Sequence, residues 1–176
     1  MALREGRLRL AVIADTHGKP HPGARAAIAA LAPDAILHAG DVGDTAVLET
    51  FGQLAPLIAV RGNIDEHGLP DVVAIDVRAR GASVYRITLL HIGVSGAKIR
   101  ADAARTAHAQ RARLLVCGHS HVPFVGKDKG LTVFNPGSIG PRRFTLPIVF
   151  GVIEIADGQL SLHHVDCETA ERWEPA

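Results

Sequence analysis

Short apolar runs alternate with amphipathic stretches along the first part of the chain. Residues 8–14 (LRLAVIA) are nearly all apolar, the pattern of a strand buried on both faces. Residues 22–31 carry helix-forming alanines with apolar residues at helical spacing, and Pro33-Asp34 ends the stretch. Residues 35–39 predict a second strand, Asp44 or Thr45 caps a helix running to about Leu54, and residues 57–60 predict a third strand. This order implies parallel strands joined by right-handed crossovers.

Beyond residue 70 the pattern turns to strands. Residues 72–80 and 83–91 predict a hairpin about Gly81-Ala82, residues 99–110 a helix, and residues 114–117 a strand. Short strands follow at 122–125, 131–134, 148–155 and 159–165, with Asp157-Gly158 as a tight turn. Many strands and few helices imply an α/β fold of two packed sheets with helices outside. No linker, low-complexity tract or internal repeat divides residues 1–176, which are expected to form one domain.

Composition narrows the function classes. The chain is 47% hydrophobic and 21% charged with a formal net charge of +1, a globular balance without an extended basic face for nucleic acid. Its two cysteines make no disulfide framework, so reduced thiols and a cytoplasmic location are expected. No apolar run approaches the roughly 18 residues of a membrane span. The basic start at residues 1–9 precedes an apolar run that stops at Asp15, too short for a signal peptide and better read as a strand.

The residues able to ligate metal fall at predicted strand ends. Asp15-Thr16-His17 follows the first strand, Gly40-Asp41 the second and Gly62-Asn63 the third; His91 ends a later one, and Gly118-His119-Ser120-His121 follows the next. Carboxyl ends of strands are where open α/β sheets build sites. Asp15 and His17, like His119 and His121, are two apart, so on extended segments each pair projects the same way. Seven donors exceed one tetrahedral zinc and suit two metals sharing a carboxylate. Mixed nitrogen and oxygen donors without thiolate suit manganese, iron, zinc, nickel or cobalt. Such a pair of cations activates the water between them and clamps an in-line displacement at phosphorus.

In this order, Asp15-x-His17, Gly40-Asp41, Gly62-Asn63, His91 and Gly118-His119-x-His121 resemble the calcineurin-like metallophosphoesterase family. The later Asn135-Pro136-Gly137-Ser138 is similar to its small bacterial and archaeal phosphodiesterase branch. The resemblance covers residues 8–165. It implies a four-layer α/β/β/α sandwich of two mixed sheets with a dimetal site at one edge. It further implies that Asp15, His17 and His121 hold the first metal, Asp41 bridges, and Asn63, His91 and His119 hold the second. Asp41, Asn63 and His91 are then the residues nearest the chemistry. Manganese is the expected metal, with nickel, cobalt, iron or zinc as alternatives, and a small phosphate ester is the expected substrate. The branch commonly forms homo-oligomers, which implies a dimer or tetramer.

Two positions depart from the family pattern. Ile64 stands where many members carry a histidine that protonates the leaving group, and Ile92 stands where glycine usually follows the metal-binding histidine. Without a proton donor at 64, aryl diesters are the expected best substrates unless Asp65 or His67 substitutes. His38 is expected to make a structural hydrogen bond, residues 135–138 a turn beneath the site, and Cys117 to pack at a strand end. Arg142 and Arg143 are open between phosphate binding and a solvated pair. His21, His108, His163 and His164 are expected to have no role. The competing functions are a phosphomonoesterase and a binding scaffold resembling a retromer subunit, although all seven ligand positions are retained here.

Overall fold

The structure, a computed structural model, describes residues 1–3, 6–66, 68–156 and 158–175. His67, and Asp157 of the expected Asp157-Gly158 turn, lie outside the described residues.

The first half follows the expected order. Strand β1 (Arg7–Ile13) leads to helix α1 (Pro22–Leu31), β2 (Ala35–His38), α2 (Ala46–Gly52) and β3 (Leu57–Ala59). Strands β1, β2 and β3 lie parallel. The second half supplies β4 (Val72–Ala79), β5 (Ala82–Leu90), a short pair β6 (Val94–Ser95) and β7 (Lys98–Ile99), then α3 (Ala101–Ala109). It continues with β8 (Leu114–Val116), β9 (Pro123–Asp128), β10 (Leu131–Pro136), β11 (Val149–Ala156), β12 (Gln159–Asp166) and β13 (Arg172–Trp173). The third helix begins later than its sequence suggests because Ile99 pairs with Val94 across the β6–β7 turn. The sequence also gave no warning of β13, two residues that pair with His164 and Val165.

Two mixed sheets result. One has the order β13-β12-β11-β1-β2-β3 and the other β4-β5-β8-β10-β9. Strand alternation builds the layers between and outside them. Leu8, Leu10 and Val12 of β1 point into the space between the sheets and meet Ile87, Leu89, Leu114, Val116 and Phe134 of the other sheet. Ala11 and Ile13, one residue out of phase, face the opposite way and pack under Ala24 and Ile28 of α1 and Val47 and Phe51 of α2. On the far side, Leu115 and Val133 meet Ala103 and Ala107 of α3. The order is therefore helix, sheet, sheet, helix. Period-two side-chain alternation lets each strand serve two apolar layers at once.

Parallel pairing brings the ends of β1, β2 and β3 to one edge of their sheet, and that of β5 with β8 does the same in the other. The loops leaving those five strands carry the candidate ligands.

Candidate metal centre

The candidate residues converge into two groups. Asp15, His17 and His121 form one and Asp41, His91 and His119 the other, with the potential ligand atoms of each group within 4.8 Å of one another. Asp41 stands between them. Its Oδ2 lies 3.8 Å from His17 Nε2 and its Oδ1 lies 3.3 Å from His91 Nε2, so each oxygen faces a different group. Asn63 is exposed on the rim and lines, with Arg61, His91 and Ile92, a cleft of about 380 Å³. All seven positions thus meet at one place.

The local backbone differs from the extended segments expected around Asp15 and His119. Asp15, His17, Asp41, His119 and His121 all have positive φ, between 46° and 70°. The strands end just before them and the chain turns in the left-handed region, which costs a non-glycine residue free energy and clusters at functional sites. The turn aims neighbours at different groups: His119 joins Asp41 and His91, whereas His121 joins Asp15 and His17. Two glycines are required by close approach. A side chain on Gly40 would come within 2.6 Å of His91 Nδ1, and one on Gly62 within 2.0 Å of the Asp41 backbone nitrogen.

A scaffold of hydrogen bonds fixes the loops. The buried Asp15 carboxylate accepts from His119 N at 2.9 Å, joining the first loop to the fifth. Asp65 accepts from Val42 N at 3.1 Å, Gly43 N at 2.9 Å and Gly62 N at 2.8 Å. This removes Asp65 from the role of substitute proton donor, because its oxygens are occupied by backbone donors. Ile64 N donates to Asp41 Oδ1 at 3.2 Å, while the Ile64 side chain is 50% exposed. Asn135 Nδ2 donates to Gly118 O at 2.6 Å, and Ser138 Oγ to Asp15 O at 3.0 Å, so the Asn135–Ser138 turn does lie beneath the site.

Sequence reasoning missed three contributors. Thr16 is buried between two candidate ligands, with its Oγ 3.0 Å from His38 Nε2 and donating to Val42 O at 2.8 Å. His38 Nδ1 accepts from Gly40 N at 3.2 Å, so Nε2 carries the proton and donates to Thr16. The structural hydrogen bond expected of His38 is thereby explained. Asp65 was visible within the Gly62-Asn63-Ile64-Asp65 run, but its three partners were not. His164, expected to have no role, is buried, and its Nε2 donates to Asn135 O at 2.8 Å. No local signal marks it, because its partner is 29 residues away. His21 also departs from expectation: its Nδ1 accepts from Gly23 N at 3.2 Å and caps α1.

The electrostatics are those of a cation site. Burial pushes the Asp15 carboxyl up to about 7, with neighbouring Asp41 adding to the rise. Burial acts the same way on Asp41, but His91 and the N–H groups of Ile64 and Asn63 outweigh it and hold Asp41 below the usual carboxylate range. Burial disfavours charge on His91, yet Asp41 and the Ala39 carbonyl raise it overall. Burial, then Arg143 and His17, push His121 down to about 4. His91 Nδ1 donates to Ala39 O at 2.7 Å, so in the neutral ring Nε2 carries the lone pair and faces Asp41. That nitrogen is buried and has no hydrogen-bond partner among the described residues. His17 Nε2 and His121 Nε2 likewise stand 3.3 Å apart. A buried imidazole nitrogen left without a partner beside a carboxylate suits a cation between them. The residues present therefore fit divalent metals.

Comparison with known proteins agrees. A model of the calcineurin-like phosphoesterase superfamily domain matches residues 8–158. The chain belongs to this superfamily. A probable metallophosphoesterase of Methanocaldococcus jannaschii is 30% identical over 112 residues, which are 60% of this chain and 53% of that protein. The match thus spans about half the length of that relative. Among solved structures, Vacuolar Protein Sorting 29 from Cryptosporidium parvum superposes with a TM-score of 0.76 at 17% identity over 95% of both chains. YfcE, a phosphoesterase from E. coli, gives 0.65 at 18% identity over 95% of this chain and 97% of its own. At these identities the structural matches speak for the fold alone. As a member of the calcineurin-like phosphoesterase superfamily, the chain has two packed mixed sheets and two groups of residues suited to divalent metals. No helix among the described residues is long and apolar enough to cross a membrane.

Proposed function

We propose that the protein is a metal-dependent phosphodiesterase acting at the two groups joined by Asp41. The observation that carries this is the division of Asp41, one oxygen towards His17 and the other towards His91. In the proposed arrangement Asp15, His17 and His121 would hold one divalent metal and Asn63, His91 and His119 a second, with an Asp41 oxygen available to each group. Bound there, two such cations would supply Lewis acidity, activating water and neutralising charge that develops on the phosphoryl oxygens.

The chain's own residues supply position. Asp15 ties the His119 loop to β1, Asp65 ties the Asp41 loop to the Asn63 loop, and the Ala39 carbonyl fixes the His91 ring with Nε2 towards Asp41. Preorganisation of this kind saves reorganisation during the reaction. Among the described residues beside Asn63, neither Ile64 nor Asp65 supplies a proton. Ile64 has no proton to give and Asp65 is engaged by backbone donors. Esters whose leaving groups depart without protonation are thus favoured, aryl diesters first.

Chelator-stripped protein reloaded singly with manganese, nickel, cobalt or zinc tests the proposal on bis-p-nitrophenyl phosphate, p-nitrophenyl phosphate and a simple alkyl diester. The aryl diester is expected to be hydrolysed fastest, with manganese the most effective metal. A faster monoester would convert the reading to a phosphomonoesterase. Metal uptake with no turnover of any ester would favour a binding scaffold. We place the protein in the cytoplasm, in keeping with its two free, buried thiols, as a single domain and, by analogy with its branch, a homo-oligomer.

A further inference from the structure

Arg142 and Arg143 are neighbours in the loop between β10 and β11, and the structure separates them. The Arg142 guanidinium is committed, donating to Leu146 O at 2.9 Å and pairing with Glu168. Arg143 is exposed and makes no ion pair with a carboxylate among the described residues. Its Nη2 instead lies 3.2 Å from His17 Nε2, at the mouth of the first group.

The root of this loop is fixed to the ligand-bearing segment. Ser138 Oγ donates to Asp15 O at 3.0 Å and accepts from Gly140 N at 3.1 Å, and His21 N donates to Ile139 O at 2.6 Å. Arg143 follows three residues later. Its charge acts on Asp15, His17, His119 and His121, members of both groups. A cation at the edge of a site suited to cations is unfavourable unless an anion lies between them. Guanidinium is permanently charged, and its planar fork of N–H donors matches phosphate oxygens.

We infer that Arg143 binds the non-bridging oxygens of the substrate's phosphoryl group and is the residue by which the site selects a phosphate anion. The inference rests on the phosphoesterase reading above and deepens it. Arg143 touches the phosphoryl oxygens, not the leaving group, so it serves monoesters and diesters alike and does not replace a proton donor at position 64.

Calorimetry of inorganic phosphate binding to manganese-loaded protein, and of manganese binding without phosphate, tests this in the wild type, Arg143→Ala, Arg143→Lys and Arg142→Ala. KM and kcat for bis-p-nitrophenyl phosphate are measured on the same proteins. Arg143→Ala is expected to weaken phosphate binding roughly tenfold or more and to raise KM. Manganese affinity should be unchanged or higher, because a competing cation has left. Arg143→Lys should recover part of the phosphate affinity, and Arg142→Ala should match the wild type. Phosphate affinity in Arg143→Ala within about twofold of wild type, a small fraction of a charged hydrogen bond, would overturn the inference. So would loss of manganese binding in both Arg143 variants, which marks a structural residue. Wild-type protein that binds manganese but neither binds phosphate nor hydrolyses the diester would overturn the phosphoesterase reading as well.

Discussion

At the scale of single residues, the centre depends on side chains that only hold loops in place. Asp65 gathers three backbone N–H groups from two loops, one bearing Asp41 and the other Asn63. Asp65→Ala leaves those donors to water and is expected to cost about 2 kcal/mol. Urea unfolding measures that loss, and calorimetry should show weaker manganese binding although Asp65 belongs to neither group. Unchanged metal affinity would mean that the loops hold their geometry without it. His38 gives a pH signature. Burial pushes its imidazole down to about 4 from the usual 6.5, so the folded protein keeps it neutral where the unfolded chain binds a proton. Its contribution is intact above pH 6.5 and is lost as pH falls towards 4. In metal-free protein, stability should fall across that window more steeply in the wild type than in His38→Gln, as read from urea midpoints at each pH.

At the scale of elements, the two sheets meet most closely where β10 crosses β11. The Phe134 ring lies over Gly151, and a side chain at 151 would come within 2.4 Å of Phe134 Cε1. Gly151→Ala is expected to destabilise the protein by about 1–3 kcal/mol through overpacking, a loss that chemical denaturation would register. The same strand carries Asn135, which His164 supports from β12 and which in turn holds the Gly118 carbonyl beside His119. Elements of this kind were only partly legible in the sequence. Leu8 to Ala14 announced β1 because apolar residues fill both of its faces, and Gly81-Ala82 announced the β4–β5 hairpin. The β6–β7 pair and β13 were hidden because two-residue strands carry no periodicity; pairing alone defines them.

At the scale of the molecule, the candidate ligands were legible because each follows a strand, and parallel strands deliver their ends to one edge. The order Asp15, His17, Asp41, Asn63, His91, His119, His121 carried that information without coordinates. What the sequence withheld was contact between distant segments: the oxygens of Asp41 facing two groups, Arg143 reaching His17, and His164 beneath Asn135. A centre crowded with lone pairs should also govern global stability. Free manganese at a hundred times its dissociation constant adds about 2.7 kcal/mol. For a chain of this size that raises the melting temperature by roughly 5–10 °C, and chelator should reverse the shift in a thermal scan. No shift would mean that the folded protein does not bind manganese preferentially.

The central claim is that Asp41 unites two metal-holding groups into one hydrolytic centre. Its most direct test is hydrolysis of bis-p-nitrophenyl phosphate by chelator-stripped protein, with and without added manganese, beside the Asp41→Ala variant. Turnover should be absent without metal, return with manganese, and fall by more than about a hundredfold in the variant, while circular dichroism shows the variant folded. Turnover that persists in folded Asp41→Ala, or that ignores the metal, would contradict the claim.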